Sequence, residues 1–186
     1  RLVKKRFLMS NGALSIGLFY GSTTCYTEMA AEKIQAQLNS LFDEDIVALH
    51  NIKDVSLSRT AEYDIVIFGI STWDFGELQE DWESHWEDVH ALDLSGKTVA
   101  LFGLGDQLGY GEWFQDALGM LHDALIPTGC KIIGYWPNQG YDFTASKALT
   151  EDKSQFVGLS LDDENQYDET ESRIEAWCEQ LLVDMA

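Results

Sequence analysis

Residues 14–34 read LSIGLFYGSTTCYTEMAAEKI, and this stretch shows the unit from which the chain is built. It begins with a short apolar run at residues 14–20, which predicts a buried β-strand. After the turn, the apolar side chains of residues 27–41 recur with helical spacing, and Glu28 lies where the helix dipole favours an acidic side chain. A strand, a turn rich in hydroxyl groups and an amphipathic helix therefore follow one another.

The same alternation continues to the end of the chain. Further strands are predicted at residues 46–49, 64–70, 98–103 and 131–135, and further helices at residues 78–89, at residues 112–125 and after a capping box formed by Asp168 and Glu171. Such alternation is typical of βαβ units, which place helices on both faces of a mostly parallel sheet. Residues 137–155 are rich in turn signals, and residues 156–161 then resemble a strand, so an insertion is predicted before the last helix.

We expect one α/β domain over residues 14–186. Residues 1–13 are interpreted as an N-terminal extension that is non-native or disordered in part. Residues 1–8 are interpreted as an added segment, with Met9 as a natural start. The segment contains the basic side chains Arg1, Lys4, Lys5 and Arg6 and too short an apolar stretch for a secretory signal.

The charge balance excludes several classes of partner. The 186 residues include 12 basic and 32 acidic side chains, for a net charge of −20. A surface this negative repels phosphate backbones and anionic lipids, so we expect no nucleic acid and no membrane as a partner. The three cysteines and four histidines have no metal-ligand or disulfide spacing, which fits a metal-free protein of the reducing cytoplasm.

The turn after the first strand has the composition of a phosphate site. Residues 21–27 contain four Ser or Thr hydroxyl groups and open a helix, whose first backbone amides are free to bind an anion. Ordinary helix capping would also explain these residues. Because the turn lacks the lysine that NTP-hydrolysing loops place on the terminal phosphates, it is better suited to hold a phosphate than to transfer one.

Two further loops reach the same edge of the predicted sheet. Residues 71–77 place Trp73 and Phe75 in a polar turn, where exposed aromatic rings favour a ligand or a partner. Residues 103–111 are rich in glycine, which lets backbone amides approach a ligand closely. Because ligands of open parallel sheets bind at the carboxyl ends of the strands, the three loops together predict a site for a flat ring with a phosphate tail.

Five motifs in these loops and around the predicted insertion resemble those of a known family. The motifs GSTTCYTE (21–28), TWDFGE (72–77), GDQLGY (105–110), GYWP (134–137) and FVGL (156–159) resemble, in this order, those of the long-chain flavodoxins, and most closely those of the flavodoxin B branch. The resemblance extends from about residue 15 to the C-terminus. It implies a flavodoxin-like three-layer sandwich whose five-stranded parallel sheet has strand order 2-1-3-4-5, with an insertion that splits the last strand.

The resemblance also implies a non-covalently bound FMN and assigns residues to each part of it. The phosphate would bind to Ser22, Thr23, Thr24, Cys25, Tyr26 and Thr27, and the isoalloxazine ring would stack between Trp73 and Tyr110. The pyrimidine edge of the ring would meet Gly103, Leu104, Gly105 and Asp106. The ribityl chain and phosphate would lie near Ser71 and Thr72. The Asp74–Phe75 peptide, helped by Gly76, would turn its carbonyl toward flavin N5. Many relatives have Gly-Asn where this chain has Cys25-Tyr26.

The function implied by the family is electron transfer rather than catalysis. The protein would be a monomeric, low-potential one-electron carrier that uses the semiquinone/hydroquinone couple. It would take electrons from a basic flavodoxin/ferredoxin–NADP reductase and pass them to acceptor enzymes with basic docking surfaces. Residues 62–93 contain ten acidic side chains and no basic one, and this stretch would steer such partners.

Two other functions share this type of sheet. An FMN-dependent NAD(P)H–quinone reductase would need a substrate pocket over the flavin, on the face that Tyr110 is expected to cover. A receiver-type signalling module would need paired acidic residues after the first strand, where this chain has Gly21 and Ser22.

Overall fold

The computed structural model describes residues 14–186, and the extension predicted for residues 1–13 lies outside them. The strands are β1 (Ile16–Tyr20), β2 (Val47–Asn51), β3 (Ile65–Trp73), β4 (Glu77–Leu78), β5 (Thr98–Leu104), β6 (Lys131–Ile133), β7 (Trp136–Pro137), β8 (Gln155–Phe156) and β9 (Leu159–Leu161). The α-helices are α1 (Tyr26–Phe42), α2 (Glu80–Ser84), α3 (Trp86–His90), α4 (Asp116–Leu125) and α5 (Tyr167–Met185). Short 3₁₀ helices occupy Leu57–Glu62, Gly111–Trp113 and Ile126–Thr128.

The central sheet is parallel, with strand order β2-β1-β3-β5-β6. Two short strands share its last position: β6 pairs with the first half of β5, and β9 pairs with the second half. Residues 134–158 leave the sheet between them and contain the antiparallel pair of β7 and β8. The predicted fold is therefore confirmed, including the order 2-1-3-4-5 of the main strands and the insertion that splits the last one.

Alternate side chains of each central strand pack on opposite faces of the sheet. On β3, Ile65 and Ile67 belong to the core that α1 and α5 cover, whereas Val66 and Phe68 belong to the core that α4 covers. All four side chains are buried. Because both faces are covered, these strands are continuous apolar runs rather than alternating apolar and polar ones.

Three helix predictions need correction. The helix predicted over residues 78–89 is two short helices, α2 and α3, which meet at His85, although Trp82 and Val89 are buried as their spacing predicts. The helix predicted from residue 112 begins at Asp116, because Gln115 takes a left-handed conformation with φ of 62°. The capping box predicted at residues 168 and 171 is absent, since α5 begins at Tyr167 without a side-chain cap.

Candidate functional site

A pocket of about 270 Å³ lies at the carboxyl ends of β1, β3 and β5. The strand order reverses at this position: β2 lies next to β1 toward one edge of the sheet, whereas β3 and the later strands follow toward the other edge. The lining residues come from four connections: Thr24, Tyr26, Thr27, Ser71, Thr72, Trp73, Asp74, Leu104, Gly105, Asp106, Tyr110, Asp163 and Glu164.

The start of α1 forms one end of the pocket. No side chain caps this helix start, and the first backbone bond within α1 runs from the Met29 N–H to the Cys25 carbonyl, so the preceding amides are available to an anion. The Ser22 Oγ atom is buried and has no hydrogen-bond partner within residues 14–186. An unpaired buried hydroxyl beside free helix amides fits an oxyanion such as a phosphate group.

Gln79 anchors this hydroxyl-rich turn from the other side. Its side chain is fully buried, and Nε2 donates a hydrogen bond of 3.1 Å to Thr23 Oγ1. Gly21 leaves room for this contact, since a Cβ atom at residue 21 would lie 2.3 Å from Gln79 Oε1. Thr23 is thus directed toward Gln79, and the pocket wall is formed instead by Thr24 and Thr27.

The β3–β4 hairpin forms the second wall. The predicted loop at residues 71–77 begins only at Asp74, because Ser71, Thr72 and Trp73 continue β3. The Trp73 indole donates a hydrogen bond of 2.8 Å to Ser71 Oγ, and Thr72 Oγ1 accepts one of 3.0 Å from the Ala117 backbone. These contacts hold the indole against the pocket.

The turn of this hairpin has an unusual backbone. Asp74 and Gly76 have φ angles of 43° and 85°. Phe75, between them, points outward with 69% of its surface exposed and contacts the Trp113 ring edge to face, at 5.0 Å between centroids. Phe75 and Gly76 therefore flank the pocket without lining it.

The loop after β5 brings Tyr110 to the pocket. Asp106 shapes this loop, since its Oδ1 atom accepts hydrogen bonds from the backbone N–H groups of Leu108 at 3.1 Å and Gly109 at 2.7 Å. Tyr110 lines the pocket with 41% of its surface exposed. Gly103 lies deeper, where a Cβ atom would come within 2.2 Å of Gln115 Oε1, and it is outside the lining.

Two lining residues, Asp163 and Glu164, were not predicted from the sequence. They follow β9, whose carboxyl end lies at the same edge of the sheet as those of β3 and β5. Asp163 accepts a hydrogen bond from the Thr170 hydroxyl through Oδ1, while its Oδ2 atom is buried without a partner within residues 14–186. Burial raises the pKa of Asp163. The rule that ligands bind at strand ends would have identified them, had the strand-like run at residues 156–161 been treated like the other strands.

The predicted site residues divide into two groups. The pocket is lined by Thr24, Tyr26, Thr27, Ser71, Thr72, Trp73, Asp74, Leu104, Gly105, Asp106 and Tyr110, whereas Ser22, Thr23, Cys25, Phe75, Gly76 and Gly103 lie beside it or behind it. Residues 14–186 contribute four carboxylate side chains and no lysine or arginine to the lining. One end offers hydroxyls and amides and the other offers two aromatic rings, which suits a flat ring with an anionic tail.

Two other classes of site are absent over the described range. Within residues 14–186, no helix is long and apolar enough to cross a membrane. The same residues contain no group of three or more His, Cys, Asp or Glu side chains arranged to hold a metal ion.

Comparison with known proteins gives a consistent result. Residues 18–177 match the family model for flavodoxin. The chain is 58% identical to Flavodoxin 2 of Escherichia coli K12 over 173 residues, an alignment that covers 93% of this chain and 98% of that protein. It is 46% identical to a flavodoxin of Nostoc sp. PCC 7120 over 166 residues, an alignment that covers 89% of this chain and 94% of that protein. Among solved structures, the Fusobacterium nucleatum flavodoxin bound to flavin mononucleotide superimposes with a TM-score of 0.84 at 27% identity, over 92% of this chain and 99% of that one.

Proposed function

The chain belongs to the flavodoxin family, and we infer from this membership and from the pocket that it is an electron carrier that binds FMN. Its identity to a Flavodoxin 2 supports the flavodoxin B branch of the long-chain members. The observation that carries this function is the pocket itself, in which free helix amides and hydroxyls face two aromatic side chains at the switch point of the sheet. FMN supplies the chemistry, since its isoalloxazine accepts and releases one electron at a time.

The phosphate of FMN would bind at the start of α1. Its ligands would be the hydroxyls of Ser22, Thr24 and Thr27 and the backbone amides of Thr23, Cys25 and Tyr26, since the Thr23 hydroxyl is bonded to Gln79. The unpaired Ser22 Oγ supports this assignment, because a bound phosphate would give it a partner. Because the described part of the chain places no lysine or arginine in the lining, neutral donors and the helix dipole would stabilise the dianion.

The isoalloxazine ring would lie between Trp73 and Tyr110. Both side chains line the pocket, and the bond between Trp73 and Ser71 holds the indole in place. The backbone of residues 103–106 would meet the pyrimidine edge of the ring. The Asp74–Phe75 peptide would hold a proton at flavin N5 through its carbonyl, in a turn that the positive φ of Gly76 permits.

The ribityl chain would pass between Ser71, Thr72 and Asp163. The Thr72 hydroxyl already accepts a bond from Ala117, but it can still donate one. The unpaired Asp163 Oδ2 is an acceptor without a donor, and ribityl hydroxyls are donors. We therefore add Asp163 to the residues that hold the cofactor.

The electrostatics of the pocket favour a low reduction potential. The carboxylates of Asp74, Asp106, Asp163 and Glu164 line it, and no basic side chain from residues 14–186 does. A second electron would give the ring, already protonated at N5, a negative charge beside these like charges, in a site that protein partly shields from water. The fully reduced protein would therefore be a strong electron donor.

The acidic stretch at residues 62–93 would receive the redox partners. All of its acidic side chains except Asp81 are exposed, and the stretch includes the hairpin that flanks the pocket. A basic flavodoxin/ferredoxin–NADP reductase would be the donor, and enzymes with basic docking surfaces would be the acceptors. The protein would act as a monomer.

Titration of FMN with the cofactor-free protein tests this function. We expect saturable binding of one FMN per chain, with quenching of flavin fluorescence by Trp73 and Tyr110. Trp73→Ala removes one stacking ring and should weaken binding about tenfold. A wild-type protein that leaves flavin fluorescence unchanged would contradict the proposed function, and unchanged affinity in Trp73→Ala would remove Trp73 from the stack.

A further inference from the structure

The turn that would bind the FMN phosphate depends on one side chain for its position. Within residues 14–186, the hydrogen bonds to Ser22, Thr23 and Thr24 all involve the Thr23 hydroxyl. One runs to the exposed Glu80 carboxylate at 3.4 Å, and the other comes from the buried Gln79 amide at 3.1 Å. Water competes for the contact with Glu80, so the bond from Gln79 contributes most to holding the turn.

Every hydrogen-bonding group of the Gln79 amide has a partner. Its Nε2 atom donates to Thr23 Oγ1 and also to Asp81 Oδ2, the latter at 2.8 Å. Its Oε1 atom accepts bonds from the backbone N–H groups of Asp81 at 3.2 Å and Trp82 at 3.3 Å. Because an amide has two donor hydrogens and two acceptor lone pairs, a rotated amide would lose all four bonds. The orientation that directs Nε2 toward Thr23 is therefore fixed.

Gln79 is itself attached to the central sheet. It directly follows β4, which pairs with the end of β3. Three residues later, the fully buried Trp82 donates from Nε1 to the Gly69 carbonyl of β3 at 2.9 Å. Gly21 lets these side chains approach the turn, since a Cβ atom at residue 21 would lie 2.3 Å from Gln79 Oε1 and 2.9 Å from Trp82 Cδ1. The phosphate turn is thus held by the strand that also carries Trp73.

We propose that Gln79 is the positioning residue for the phosphate end of the site and that, through Thr23, it makes the protein prefer FMN to flavins without a phosphate. The inference rests on the proposed FMN site. Gln79 and the Thr23 side chain lie outside the pocket lining, so they act by holding the turn. With Thr23 held, the buried Ser22 Oγ and the free amides before α1 are kept in place for the phosphate before it binds.

Titrations with FMN and with riboflavin, which lacks the phosphate, test this role. Gln79→Met preserves the side-chain length but cannot donate to Thr23. It should raise the dissociation constant of FMN about tenfold and change that of riboflavin less than about twofold. Thr23→Val removes the other partner of the same bond and should have the same effect. In the double variant the loss for FMN should stay about tenfold, because the two substitutions remove one interaction.

Asn39→Ala is the matched control. Asn39 is also a side-chain amide that holds the backbone of a turn, since its Oδ1 atom accepts bonds from the N–H groups of Ile46 at 2.9 Å and Val47 at 3.1 Å. It lies near the other end of α1, away from the phosphate turn. We expect its dissociation constants for both flavins to stay within about twofold of the wild type. Urea unfolding of each cofactor-free variant shows whether it folds.

Four results would overturn the inference: unchanged FMN affinity in Gln79→Met, equal losses for FMN and riboflavin, losses that multiply in the double variant, or the same loss of preference in Asn39→Ala. If Gln79→Met does not fold, Thr23→Val decides alone, since Thr23 is exposed, and an unchanged preference for FMN in that variant would overturn the inference. Failure of the wild-type protein to bind FMN would instead contradict the proposed function, so the two failures are distinguishable.

Discussion

At Cys25 the backbone adopts a conformation that non-glycine residues rarely take. Its φ angle is 68°, and it ends the hydroxyl-rich turn just before α1. A side chain in the left-handed region costs about 1–2 kcal/mol, and the thiol makes no capping bond that would offset this. Such strain is found at the edges of binding sites, and a glycine here would take this conformation freely.

Replacing Cys25 should therefore separate strain from binding. Cys25→Gly should raise the free energy of unfolding of the cofactor-free protein by about 0.5–1 kcal/mol, the strain relieved less the entropy that glycine loses. Cys25→Ala keeps the strained backbone conformation, so it should not raise the free energy of unfolding. Both variants should bind FMN as the wild type does, because residue 25 would contribute only its backbone N–H to the proposed phosphate site. Urea unfolding and FMN titration measure the two effects, and a loss of affinity in Cys25→Ala would assign the thiol a direct role.

Asp163 offers a second test at the residue scale. Its unpaired Oδ2 should accept a bond from a ribityl hydroxyl, so Asp163→Ala should weaken riboflavin binding about five- to tenfold. Lumiflavin lacks the ribityl chain, and its binding should not change. Glu164→Gln, a change at the next lining residue, serves as the control. Equal losses for riboflavin and lumiflavin would show that Asp163 acts on the ring or on the fold instead.

At the scale of elements, burial explains which predictions were right. The central strands and the faces of α1 and α5 follow from apolar patterns, because both faces of the sheet are covered. The end of β3 was wrongly predicted as a loop, since Ser71 and Thr72 are polar and their pairing with β5 and β4 depends on contacts distant in sequence. Asp163 was missed for the same reason: its place at the pocket depends on the pairing of β9 with β5.

The β3–β4 hairpin gives an element-scale prediction about its turn. Gly76 has a φ angle of 85°, and a Cβ atom there would lie 2.8 Å from Asp116 Oδ2. Gly96 has a similar φ of 77°, but no atom of residues 14–186 lies within 4 Å of the corresponding Cβ position. Gly96→Ala should therefore lower the free energy of unfolding by about 1 kcal/mol, because alanine disfavours the positive φ angle.

Gly76→Ala should lower the free energy of unfolding more than Gly96→Ala does, because its Cβ atom also comes too close to Asp116 while the backbone cost is the same. It should also weaken FMN binding, since the turn flanks the pocket, whereas Gly96→Ala should leave affinity unchanged. Urea unfolding and FMN titration of the pair give both comparisons. Equal losses of unfolding free energy in the two variants would show that the hairpin shifts away from α4 and relieves the close contact at no cost.

At the scale of the whole molecule, the charge is placed unevenly. The net charge of −20 disfavours general binding to nucleic acids and anionic membranes. Of the ten acidic side chains of residues 62–93, Asp74, Glu77 and Glu80 follow the carboxyl end of β3 beside the pocket. Glu62, Asp64 and Asp93 precede β3 and β5 at the opposite edge of the sheet. Such a surface increases association rates with a basic partner, and the increase falls as salt screens the charges.

Association with a basic reductase should therefore slow steeply as ionic strength rises, as measured by stopped-flow kinetics. Glu87→Lys, on the acidic face, should reduce the rate at low salt more than Glu175→Lys, an exposed position on α5 on the opposite side of the sheet. The two variants have the same net charge, so the difference reports on position. Equal rates for both would indicate that only the total charge matters and would contradict docking by this face.

Stepwise reduction of the FMN-loaded protein, followed by visible absorption, tests the central claim most directly. We expect two well-separated one-electron steps, with a long-wavelength band that rises in the first step and disappears in the second, and a second step at low potential because four carboxylates line the pocket. A single two-electron step without that band would contradict the assignment of this protein as a one-electron carrier.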